Sequence, residues 1–313
     1  MLYPASSFNC FSESFIMFLA ILLLILTGII WVGIGAVVDA SAQKGSSLDF
    51  IQGMAALLMM LIGSVVWFFG DSSVHPLTLA FLPMAGVINY VVFVLAKKAM
   101  ACGPSGLTWA IMQSSFVMPF LMGVFFFNVP CSLLRGSGIA VLFTSMFFMG
   151  SGAKIPDNTN GTPSSKSTWI FYTLLAFLAA GICQCCSNIP SYFIKEASNG
   201  LDNLLFRSGI NSTGAFLCFL LSPVWNKKAW RSQNCLKSVG LFFASTLTAL
   251  CCLYKGLDLL AAREAGAIGY PIALGATIAA FLFYSSWQLK EKLTPTALLG
   301  VLLCLCGIVL VLF

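Results

Sequence analysis

The stretch WQLKEKLTPTALLGVLLCLCGIVLVLF runs from Trp287 to Phe313. Lys290, Glu291 and Lys292 stand together, and an apolar run follows of about twenty residues, the length a helix needs to cross a ~30 Å hydrocarbon core. Such a stretch is either a tail anchor on a soluble protein or one span of a protein that lives in the bilayer. Composition decides between them. Of 313 residues 59% are hydrophobic and 8% charged, with a mean hydropathy of +0.96. A water-soluble domain carries about 25% charged residues, so this chain cannot cover a globule with polar surface.

Working back from Trp287, runs of similar length recur. The spans read as Phe15 to Val38, Phe50 to Phe69, Leu77 to Ala96, Ser105 to Phe127, Leu133 to Gly150, Trp169 to Pro190, Leu201 to Val224, Leu236 to Leu259, Ala265 to Trp287 and Pro295 to Phe313. The expectation is an all-α integral membrane protein of ten transmembrane helices. Ala40-Ser41-Ala42 imitates a signal-peptide cleavage site. However, no Lys or Arg precedes Lys44, and the apolar run exceeds the ~7–15 residues of a signal core. Of the 12 cysteines, Cys183, Cys185, Cys186, Cys251, Cys252, Cys304 and Cys306 fall within spans, where Cys acts as a small soft hydrophobe. No second Cys pair or His cluster joins Cys183 and Cys186 to make a metal or redox site, so no metal and no cofactor is expected.

Basic residues set the orientation. Lys44, Lys97, Lys98, Lys154, Lys166, Lys227, Lys228, Arg231, Lys237, Lys290 and Lys292 belong to the connections 1–2, 3–4, 5–6, 7–8 and 9–10. The other side has Arg135, Lys195 and Arg263, while Arg207 and Lys255 lie within spans. The positive-inside rule makes the first side cytoplasmic and puts both termini outside. The net charge of +6 is this anchoring to the lipid bilayer and calls for no nucleic acid. Asn160-Gly161-Thr162 is a glycosylation sequon, but the same rule puts it on the cytoplasmic side.

SGAKIPDNTNGTPSSKST, between Gly150 and Trp169, has linker composition and separates five spans from five. The first repeat is read as 15–150, the linker as 151–168 and the second repeat as 169–313, after an N-terminal tail of 1–14. The halves echo each other weakly: KGSSLDFIQG (Lys44 to Gly53) lies over NGLDNLLFRS (Asn199 to Ser208), and Gly106 over Gly266. Five is odd, so tandem halves enter the membrane in opposite directions, and the basic residues follow that inversion. This is the 5+5 inverted-repeat plan of secondary transporters, with a site expected at the midplane.

The closing stretch EKLTPTALLGVLLCLCGIVLVL, with Glu291, Pro295, Gly300 and Gly307, resembles the final hairpin of the drug/metabolite transporter superfamily (EamA-like proteins). The layout resembles it over nearly the whole chain. Gly86 to Gly123 is similar to the third and fourth helices of its sugar-porter branch, which includes rhamnose–proton symporters. The first half departs from the hairpin pattern, with Asn128-Val129-Pro130 where the second has Lys290-Glu291-Lys292, and a looser first hairpin is expected. The resemblance implies a central cavity lined by helices 3, 4, 8 and 9, with helices 1, 2, 6 and 7 around it. It also implies a bacterial inner membrane.

An ionisable group at mid-span costs roughly 2.5–3.5 kcal/mol, so intramembrane polar groups tend to face a cavity or another helix. The substrate-binding candidates are Asn89, Tyr90, Trp109, Gln113, Ser114, Gln184, Asn188, Arg207, Asn211, Tyr254 and Tyr270. Amides bond hydroxyls and rings stack on apolar faces, which suits a neutral polar or amphipathic small-molecule substrate. Pro119 and Pro271 interrupt the backbone ladder and are candidates for gating or kinking. Arg207 either grips an anionic substrate or pairs with Asp202 or Asp258. The ten acids all fall near span ends, and proton coupling is expected to be weak or absent. His75, the single histidine, precedes Pro76 in a loop and is expected to be solvated.

The expectation is a carrier of a small organic metabolite, sugar-like or otherwise neutral and polar, and not an enzyme. Alternatives are an exporter of amino acids or amphipathic drugs, a carrier of an organic anion held by Arg207, and an integral-membrane enzyme. The last would need clustered acids, histidines or a nucleophile–base pair, and none can be drawn.

Overall fold

The computed structural model describes residues 6–44, 46–70, 75–129, 131–154, 165–193, 201–222, 233–263 and 265–312. Every regular element among them is helical: α1 Ser6–Lys44, α2 Leu48–Phe69, α3 Pro76–Cys102, α4 Ser105–Gln113, α5 Val117–Phe127, α6 Leu133–Gly152, α7 Lys166–Phe193, α8 Leu201–Leu221, α9 Gln233–Ala261, α10 Gly269–Trp287 and α11 Pro295–Leu312. Counting α4 and α5 as one span, 9 segments of the described chain are long and apolar enough to cross a membrane, and Pro295–Val311 is a shorter apolar helix. The protein is an all-α, multi-pass membrane protein. Its outer surface is lipid-like: Phe18, Phe68, Phe69, Phe125, Phe126 and Leu133 are all largely exposed. The sequon, the middle of the linker and most of the 7–8 connection lie outside the described residues, as does the side chain of Asp202.

Local chemistry starts the helices close to the expected places. Ser47 and Ser132 accept the backbone N–H of Phe50 and Arg135, and Thr294 Oγ1 accepts that of Ala297 at the head of α11. Helix α3 begins at Pro76, whose missing donor costs nothing in a first turn. It runs past the expected end at Ala96, and its last turns carry Lys97 and Lys98. Their stems lie along the bundle while the ammonium groups reach the Ser46 carbonyl (2.8 Å) and the Tyr172 ring (5.5 Å).

The fourth span is broken. α4 gives way to a 3-10 turn at Ser114–Phe116 before α5 resumes. Pro119 explains the break, because its ring would meet the carbonyl of Ser115 four residues earlier, so the ladder tightens there. Pro271 does not act in this way. It is the third residue of α10, just after a 3-10 turn at Gly266–Ile268, so it opens that helix instead of kinking a span.

The main packing joins the segments before residue 153 to those after 165. α6 pairs with α11, α2 with α8, α3 with α7 and α8, α1 with α9 and α10, and the fourth span with α10 and α7. Lipid supplies no hydrophobic drive between helices, so close backbone approach and van der Waals contact hold them. A Cβ on Gly209 would lie 2.7 Å from Gly63 Cα, and one on Gly138 would lie 2.9 Å from the Gly307 carbonyl oxygen. Gly300 meets Met149 and Ser145 on the same α6 face.

The two short hairpins share a backbone feature at their described residues. Asn128 (φ 52°) and Lys290 (φ 55°) are the non-glycine residues with positive φ among those described. The next residue in each case donates its N–H to a carbonyl six positions back, Val129 to Gly123 (3.0 Å) and Glu291 to Ser285 (3.1 Å). Asn tolerates the left-handed conformation, so the first hairpin, expected to be looser, closes at its described residues with the same kind of bond, while Pro130 lies outside the described residues.

Candidate functional site

A cavity lies among α1, α3, α4, α7, α8, α9 and α10. It is at mid-height, since Asn89 and Asn211 are the central residues of α3 and α8. Six of the expected residues line it: Asn89, Trp109, Gln113, Gln184, Asn211 and Tyr270. Trp31, Phe93, Cys183, Ser187, Thr246 and Leu250 also line it, and nothing in the sequence singles them out. No charged side chain does so among the described residues.

The walls differ. α3, α4, α7 and α8 pack on one another and supply Asn89, Gln113, Gln184, Ser187 and Asn211. α1, α9 and α10 form the other wall, mostly Trp31, Ile34, Leu250, Leu253 and Leu274. On that second wall Thr246 turns its hydroxyl back to the Phe242 carbonyl (2.7 Å), which leaves Tyr270 as its polar handle. The 3-10 turn in the fourth span serves the site. It offers Ser115 Oγ to Gln184 Nε2 at 2.8 Å, which fixes the amide and leaves Gln184 Oε1 buried without a partner. Trp109 stacks on Phe281 at 5.0 Å, and its Nε1–H is likewise buried and unpaired. Asn89 and Gln113 side chains make no hydrogen bond among the described residues either.

Five candidates are elsewhere. Tyr90 donates to Asp49 Oδ1 at 2.8 Å, bridging α3 and α2. Ser114 bonds back to the Ala110 carbonyl (2.8 Å), and Asn188 is buried beside Ser187 but off the cavity. Arg207 and Tyr254 belong to a buried cluster. Arg207 Nη1 meets Asp258 Oδ2 at 2.6 Å with both side chains 0% exposed, and Nη2 donates to Ser191 Oγ at 3.0 Å. The Tyr254 ring lies 4.4 Å from the guanidinium, and its hydroxyl accepts from Asn211 Nδ2 at 3.2 Å. The anion-gripping role for Arg207 has no support in this geometry, because Nη1 is paired with Asp258, Nη2 is bonded to Ser191, and the residue lies off the cavity.

The ends of the bundle carry different fastenings. Where α3 meets α4, the Glu291 carboxylate accepts the N–H of Ser105 (2.7 Å) and of Gly106 (2.9 Å), so the last hairpin caps α4. Ser105 Oγ also donates to Asp39 of α1. Burial raises the Glu291 pKa above the ordinary glutamate value; the bonds from Gly106 and Ser105 pull it back, and the charge of Asp39 adds to the rise. From the sequence Glu291 reads only as a surface anchor. At the opposite end Phe127 stacks on Tyr192 at 4.0 Å, near the Arg207–Asp258 pair. His75 is exposed there as expected, and its Nδ1 accepts the Leu77 N–H at the start of α3.

No family model matches the chain, and no curated protein matches it. Its fold is similar to those of solved structures. One, described only as "Crystal structure of protein", has 14% identity and a TM-score of 0.58 over 96% of each chain. At that identity the likeness concerns the fold alone.

Proposed function

We propose that the protein is a secondary carrier of the drug/metabolite transporter type, which moves a small uncharged organic molecule across the membrane by alternating access. The observation that carries this reading is the mid-height cavity, walled by helices from both halves and lined by four amides, of which Asn89 and Gln113 make no hydrogen bond, with no charged side chain among the described residues. Intramembrane polar groups without protein partners are costly unless something else satisfies them. The 5+5 inverted repeat is part of the proposal. Reciprocal packing (α3 on α7 as α9 on α1, α2 on α8, α6 on α11) and the matched turns at Asn128 and Lys290 support it. Both termini outside a bacterial inner membrane, and weak proton coupling, complete the reading.

Counterflow in proteoliposomes is the test. Vesicles are loaded with a metabolite mixture, and mass spectrometry reads what exchanges, with and without a pH gradient. Selective exchange of unchanged molecules is expected, and Gln113→Leu should abolish it while the protein stays folded and inserted. A compound returning chemically altered would point to an enzyme instead.

A further inference from the structure

We propose that the ligand of this cavity is an uncharged ring with its hydrogen-bonding groups along one edge and an apolar face opposite, of the cyclic amide or nucleobase kind, and not a fully hydroxylated sugar. The inference rests on the carrier reading for its biological sense but not for its test. A hexose carries hydroxyls around its whole rim. Seated here, one side would find Asn89, Gln113, Gln184 and Asn211, while the other would press against Trp31, Leu250, Leu253 and Leu274. Hydroxyls buried there would find almost no partner, and unpaired burial is penalised.

The unpaired atoms point the same way. Two residues of the lining carry buried polar atoms without partners, a donor at Trp109 Nε1–H and an acceptor at Gln184 Oε1. Ser115 Oγ accepts from Gln184 Nε2, which orients the amide with Oε1 unengaged. A ligand edge that presents a carbonyl and an N–H satisfies both at once. An anion finds no cation in the lining, since Arg207 is outside it and paired with Asp258. A carboxylate entering the cavity would thus lose hydration without compensation.

Equilibrium dialysis on detergent-purified protein tests this with four labelled probes: thymine and uracil as one-edged neutral rings, orotate as the charged analogue, and glucose. Thymine, whose methyl group lies away from its amide edge, should bind best. Glucose and orotate should bind at least about tenfold more weakly. Trp109→Phe keeps the ring stack and removes the donor, while Gln184→Met keeps the length and removes the acceptor. Each should weaken thymine about tenfold at an unchanged thermal midpoint, which serves as the folding check for each variant separately. Glucose or orotate binding as tightly as the bases, no binding of either base, or unchanged thymine affinity in a folded variant would overturn the proposal. Because dialysis needs no transport, base binding without counterflow would sink the carrier and keep the ligand class. Hexose counterflow without base binding would do the reverse.

Discussion

The two turns at Asn128–Val129 and Lys290–Glu291 share a feature and differ in what they hold. Each places a left-handed residue after its helix, followed by an N–H bonded to a carbonyl six positions back. In the second, Glu291 follows the turn and its carboxylate closes two N–H groups at the head of α4. In the first, the corresponding residue is Val129, which packs in the apolar cluster with Ala265 and Ala267 beside the 3-10 turn Gly266–Ile268, and no side chain caps that turn. One end of the bundle is closed by a charge on a helix terminus. The other relies on apolar contact, ring stacking and the Arg207–Asp258 pair. The two turns share a left-handed residue and a six-back bond, and the chemistry that fastens the two ends differs.

The largest break in this comparison should come from Arg207→Ala, which removes the guanidinium paired with Asp258 at 0% exposure and should cost about 3–5 kcal/mol in thermal unfolding in detergent. Replacing both partners by leucine should recover most of the loss; no recovery would mean that the cluster with Ser191 and Tyr254, not the pair, carries the stability. Next is Glu291→Ala, which leaves the Ser105 and Gly106 donors open and should cost about 1.5–3 kcal/mol, the usual strength of hydrogen bonds to charged groups. Val129→Ala, at the matching position, should cost less; an equal cost would erase the asymmetry. Glycine at the turn residues should sharpen the backbone half of the comparison. Lys290→Gly should gain up to about 1 kcal/mol by relieving the left-handed penalty, and Asn128→Gly less, because Asn already tolerates it.

The smallest effect is in pH. Glu291 has a raised pKa in the fold, so the native state holds its proton where the unfolded chain releases it. From about 4.5, the ordinary glutamate value, up to the raised value, stability should fall as pH rises. Glu291→Gln should flatten that segment of the stability–pH curve, and an unchanged slope would assign it to another group.

Depth in the membrane is legible in the sequence, and azimuth is not. Hydropathy locates the spans to within a few residues, except at α1, which runs from Ser6 to Lys44, and where α3 continues under Lys97 and Lys98, whose long stems let charge sit on a helix end. Mid-span position is enough to single out the amides Asn89, Gln113, Gln184 and Asn211. Their neighbours mislead: Tyr90, Ser114 and Asn188 are at the same depth as Asn89, Gln113 and Ser187, but about 100° around the helix. In water the apolar stripe of a helix reveals which way it faces. In lipid both the core and the outside are apolar, so that stripe fades, and Trp31 and Leu250 read like any other membrane residue. Glu291 is legible as a charge at a loop, but its partner lies 185 residues away at Gly106. The hairpin residues have separate structural contacts. Glu291 caps α4, Pro295 starts α11, and Gly300 and Gly307 fit α11 against α6.

The pairing of helices across the 153–165 junction also sets an order for biosynthesis. The first five spans leave the ribosome before any of their main partners exist, so Gly63 and Gly138 meet lipid chains until Gly209 and Gly307 are made. α1 waits longest, because its partners α9 and α10 begin only at Gln233 and Gly269. Until then the early half is a substrate for whatever machinery shelters unfinished membrane proteins, and a ribosome stalled before Pro295 would leave α6 with no helix to replace its lipid.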